Sequence, residues 1–85
     1  MEVQGEFHGL IRSSRGTLSE SELQEVQEFV EGQDFILALE TLCGFLLDRN
    51  RQVSPDLYYR IHTLCDRLDG VDPYLLESVK AIVID

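Results

Sequence analysis

Apolar residues recur along this chain at helical spacing, in five successive blocks. Phe7, Leu10 and Ile11 stand at i, i+3, i+4 and predict a short helix, weakened by Gly9 and ended at Gly16, so residues 1–16 are expected to form a weakly ordered N-terminal helix. The next block opens on Ser19 with Glu22 three places later, a capping-box signature. Leu23, Val26 and Val30 then supply its buried stripe, and Gly32 stops it. A third helix is expected from Asp34, as N-cap, to about Asn50. Phe35, Ala38, Leu39, Leu42, Cys43 and Leu46 form its main apolar face, widened by Ile36, Phe45 and Leu47, which suits a central helix touched on several sides.

The strip left over on that third helix is Leu37, Thr41, Gly44 and Asp48. A glycine inside a helix costs about 1 kcal/mol against alanine. The favoured explanation is another helix crossing closely at Gly44, with a shallow landing site as the alternative. After a turn at residues 50–53, Ser54-Pro55 opens a fourth helix with Leu57, Ile61, Leu64 and Leu68 inward, ended by Gly70. Asp72-Pro73 opens a fifth with Leu75, Val79 and Ile82 inward. Residues 81–84 suit a strand or a frayed helix end equally. Short connections imply antiparallel neighbours. The expected fold class is all-α, a small antiparallel bundle of four to five helices in a single domain over residues 1–85.

Composition agrees with a folding chain: 44% of residues are hydrophobic and 27% charged, more aliphatic than a disordered segment. No apolar run approaches the roughly 18 residues a membrane span needs. The first residues, Met1-Glu2-Val3-Gln4-Gly5-Glu6, lack the basic-then-apolar pattern of a signal peptide. The two cysteines, Cys43 and Cys65, are too few for the disulfide framework of a small secreted domain, so a cytoplasmic location is expected.

Charge changes the picture most. Sixteen acids face seven bases, a formal net charge of -9, and no Lys or Arg occurs between Gly16 and Asp48. Phosphate binding needs Lys and Arg, so direct nucleic-acid binding is not expected, whereas a basic protein suits this surface. On the second helix Glu20, Gln24, Glu28 and Glu31 gather opposite the buried stripe, with Glu25 beside them. No base stands at i+4 to pair with them, and like charges so spaced repel by a few tenths of a kcal/mol each. A solvated face is the plain alternative. A second candidate surface is the stripe Tyr59, His62, Asp66 and Asp69, since aromatics beside charges suit interface hot spots.

Candidates for chemistry are few. Cys43 and Cys65 fall on or beside apolar faces, where a cysteine acts as a small hydrophobe. His8 sits in the weak first helix, and His62 has Asp66 at i+4 as an ordinary surface partner. There is no Cys-x-x-Cys, calcium-loop or phosphate-loop pattern. No catalytic residue, metal site or cofactor is expected.

Leu18-Ser19, the acidic helix, Phe29-Val30-Glu31, Phe35 and Ala38-Leu39-Glu40-Thr41-Leu42-Cys43, followed by Ser54, Tyr58, Ile61 and Leu64, together resemble the MafI family of bacterial immunity proteins. These proteins protect cells against polymorphic toxins passed between neighbouring bacteria. The likeness covers roughly residues 17 to 83. Gly32 stands one place earlier than the family's glycine, and the family's last-helix tryptophan is missing. The resemblance implies a protein that binds and neutralises the C-terminal domain of one cognate toxin, and the acidic surface suits a basic nuclease as that toxin. It does not supply contact residues. Those come from the charge and spacing above: Glu20, Glu25, Glu28, Glu31, Asp34, Tyr59, His62, Asp66 and Asp69. The alternative is an acidic helical adaptor in a larger assembly with no toxin partner. Oligomeric state is not legible.

Overall fold

A computed structural model describes residues 3–48 and 51–84. These residues form five helices: α1 (Val3–Ser13), α2 (Glu20–Glu31), α3 (Phe35–Asp48), α4 (Pro55–Arg67) and α5 (Pro73–Lys80). The expectation that α3 reaches Asn50 falls outside the described residues in its last two positions. Three helix starts follow their sequence signals. The Glu22 amide donates to Ser19 Oγ at 3.2 Å while Ser19 N–H donates to Glu22 Oε1 at 2.9 Å, completing the capping box. Leu57 N–H donates to Ser54 Oγ, and Tyr74 N–H to Asp72 Oδ1, each just after a proline at the first helical position.

The helices pack as a closed ring in the order α1, α2, α3, α5, α4, each with two principal neighbours, around one core. The ring order departs from chain order at one point. α5 stands between α3 and α4, although the short α3–α4 connection suggested direct neighbours. That connection is anchored by Val53, fully buried, whose N–H donates to Ile82 O and whose carbonyl accepts from Ile84 N–H at 2.8 Å. Residues 81–84 thus leave the helix and form a one-residue parallel bridge, Val53 to Val83, in place of a frayed end.

The helix expected to be weak carries some of the most deeply buried side chains. Phe7 and Leu10 are 0% exposed, and Phe7 stacks on Phe35 at a ring-centroid distance of 5.8 Å. Gly9 has a packing reason: a Cβ there would lie 3.0 Å from Arg60 Nη1, because that side chain of α4 crosses α1 at this point. Ser14, also buried, donates its hydroxyl to Leu10 O at 2.8 Å.

One local expectation is refined and two are corrected. Gly32 ends α2 with φ −81°, and the left-handed residue is Gln33, at φ 63°. The bonds Asp34 N–H to Phe29 O and Gln33 N–H to Val30 O make a Schellman turn whose usual glycine site is occupied by glutamine. Asp34 receives Ala38 N–H on its carbonyl, and among the described residues its side chain accepts no capping bond. Gly44 is not crossed by a helix: it is exposed, and a Cβ there would meet nothing within 4 Å.

Candidate functional site

The α2–α3 hairpin holds Glu20, Glu22, Glu25, Glu28, Glu31, Asp34, Glu40 and Asp48 and no base. Burial of Leu23, Val26 and Val30 on the inner side of α2 turns Glu20, Glu25, Glu28 and Glu31 outward, and all four are exposed, as is Asp34 in the turn. Among the described residues no basic side chain lies within 4.0 Å of Glu25, Glu28, Glu31, Asp34, Glu40 or Asp48. Glu20 is 4.0 Å from Arg15, with both side chains mostly exposed, a separation at which water screens the pair. Gln27 donates to Glu31 at 3.3 Å.

Glu22 is the exception, and its partner comes from across the fold. Arg51 Nη1 and Nη2 donate to its two oxygens at 2.6 and 3.0 Å, and Nη1 also reaches Thr17 O at 3.3 Å. This fork and the Ser19 amide hold the Glu22 carboxyl at about 2, well below its ordinary 4.5. One carboxylate therefore fixes the start of α2, the α1–α2 loop and the α3–α4 loop. It sets the position of the acidic face without belonging to it. Sequence spacing could not reveal this pair, because its members stand 29 residues apart.

The second candidate surface is only partly continuous. Tyr59 is 69% exposed on α4, beside a groove lined by Glu6, Asp56, Arg60, Thr63 and Arg67. His62 is half-buried, with Nδ1 3.4 Å from Asp66 Oδ2 and its ring edge-on to Tyr58. Asp69 drops out of the stripe, since α4 ends at Arg67 and Leu68 turns to an extended conformation. The α2 and α4 parts of the two surfaces are separated by α1, which stands between those helices in the ring.

Beyond the expected residues, an open depression lies at the start of α3, lined by Asp34, Phe35, Ile36, Leu37, Glu40 and Leu68. The thiols are poorly placed for nucleophilic work. Burial pushes Cys43 up to about 12, with Cys65 and Glu40 nearby adding to it, so it stays protonated at neutral pH. Burial also raises Cys65, as does Asp66. Among the described residues no helix is long and apolar enough to cross a membrane, and no three His, Cys, Asp or Glu side chains group to hold a metal. Compared with family models, curated proteins and solved structures, the chain matches none.

Proposed function

We propose that this chain is an immunity protein that binds and neutralises a cognate toxin domain, a basic nuclease, through the outer surface of the α2–α3 hairpin. The observation that carries the reading is a helix hairpin whose exposed acids, Glu20 apart, find no basic partner among the described residues, while its one half-buried acid, Glu22, is paired with Arg51. Nucleases hold phosphate with Lys and Arg, and a preformed carboxylate surface can occupy or overhang that groove. The resemblance to the MafI pattern supports the same role. Under this reading the chain does no chemistry of its own and works in the cytoplasm of the cell it protects.

The adaptor alternative calls for a broad apolar docking groove. The exposed large apolar side chains, Leu37, Tyr59, Tyr74 and Ile84, instead lie singly on α3, α4, α5 and the segment after it. The test is protection in cells. Co-expression with the toxin domain encoded beside it should restore growth, and an unrelated toxin should still kill. Death despite well-expressed protein removes the pairing.

A further inference from the structure

Leu37, Glu40, Thr41, Gly44 and Asp48 follow one another on α3 at i, i+3, i+4, i+7 and i+11, the spacing of anchors on a helix that lies against another. None of the ring's helices covers this face. Leu37 is 45% exposed, and Glu40, Gly44 and Asp48 are exposed. A glycine in mid-helix weakens the free protein, and here nothing in the fold requires it, because a Cβ would meet no atom within 4 Å. At its N-terminal end the face opens into the depression lined by Asp34, Phe35, Ile36, Leu37 and Glu40.

We propose that this face of α3 seats an amphipathic helix of a partner protein, with basic side chains placed for Glu40 and Asp48 and an apolar side chain against Leu37. Charge complementarity selects the occupant. Glu40 and Asp48 stand two turns apart, about 12 Å along the axis, and have no basic side chain within 4.0 Å among the described residues. The exposed acids of α2, on the same base-free hairpin, add to the field that draws a cation there. Gly44 removes the side chain that would hold the two helix axes apart, since interaxial distance is set by the residues at the contact. The inference rests on the immunity reading only for which protein supplies the helix.

The probe is a synthetic helical peptide with a leucine flanked by arginines two turns apart, titrated into the full chain while backbone amide shifts are followed. Shifts should concentrate on residues 36–48. Leu37→Ser and Gly44→Gln should each weaken binding about ten-fold, with no fall in thermal midpoint for Gly44→Gln, whose side chain enters open space. Arg12→Gln, exposed on α1 away from this face, should change affinity less than two-fold. The proposal is overturned if the peptide fails to bind below about 1 mM, if shifts fall on the outer face of α2 alone, or if Gly44→Gln binds as wild type. It is also overturned if the free chain self-associates through this face, which sedimentation would show and which assigns it to a second copy. Because the probe contains no toxin, these outcomes are independent of the co-expression result.

Discussion

On α1 and α4 opposite charges meet. Arg67 reaches Glu6 at 3.7 Å, Arg60 reaches Asp56 at 3.4 Å, and the Arg60 guanidinium lies across the bare backbone of Gly9. On the α2–α3 hairpin the exposed acids other than Glu20 have no basic side chain within 4.0 Å among the described residues, and a Cβ on Gly44 would meet nothing within 4 Å. Both regions bury apolar faces of the same kind in one core. They differ in what their outer surfaces lack. The α1–α4 side pairs several of its charges and covers Gly9 from within the chain. The hairpin leaves both open, with the charge and shape that a basic helical partner would supply.

The comparison breaks first at the core. Truncating Phe7 to alanine should cost about 3–5 kcal/mol in urea unfolding, because its ring is fully buried against Phe35. A cost below about 1 kcal/mol would mean that α1 is a peripheral strap, and the α1–α4 side could not serve as the closed half.

Acid should separate the one paired acid of the hairpin from the rest. A carboxyl held at about 2 against an ordinary 4.5 contributes stability that is present above pH 4.5 and lost as pH falls from there toward 2. Urea midpoints measured between pH 6 and pH 2 should drop more steeply for wild type than for Glu22→Gln. Parallel curves would show that the Arg51 fork does not tie the loops together.

Smaller effects sharpen the contrast between the two glycines. Gly44→Ala should raise stability by about 0.8–1 kcal/mol, the full helix-propensity gain. Gly9→Ala should gain less, since the new Cβ displaces Arg60 from a 3.0 Å position. Gln33→Gly should add about 0.5–1 kcal/mol by relieving a left-handed glutamine. Smallest of all, Arg60→Gln should change stability by no more than about 0.5 kcal/mol, the scale of an exposed i, i+4 pair. Thermal or urea melts of this set rank all four changes.

Much of the fold was legible because helix signals are local. Ser19 with Glu22, Ser54 with Pro55 and Asp72 with Pro73 each mark a start within four residues, and the buried stripes recur at helical spacing. What escaped was long-range or a matter of one turn. Nothing in the period of α3 says that Gly44 faces open space, because the wheel gives a direction and not the neighbour standing there. The Arg51–Glu22 fork and the Val53–Val83 bridge join residues about 30 apart, beyond any spacing rule. Gly32 does end α2, as the sequence indicates, but the left-handed conformation falls one residue later, on Gln33, which no local spacing rule singles out. The acidic face itself was read correctly as exposed, since charge runs and burial stripes occupy opposite sides of one helix. The Tyr59 stripe was overextended, since helical spacing was carried past the end of α4 to Asp69.

The most direct test of the account replaces Glu28, Glu31 and Asp34 together with lysine and measures association with the toxin domain encoded beside this chain at several salt concentrations. The account predicts a melt no weaker than wild type, an association rate lowered ten-fold or more at low salt, and a flattened salt dependence. An unchanged affinity with an unchanged salt slope would contradict it and remove the acidic face from the binding surface.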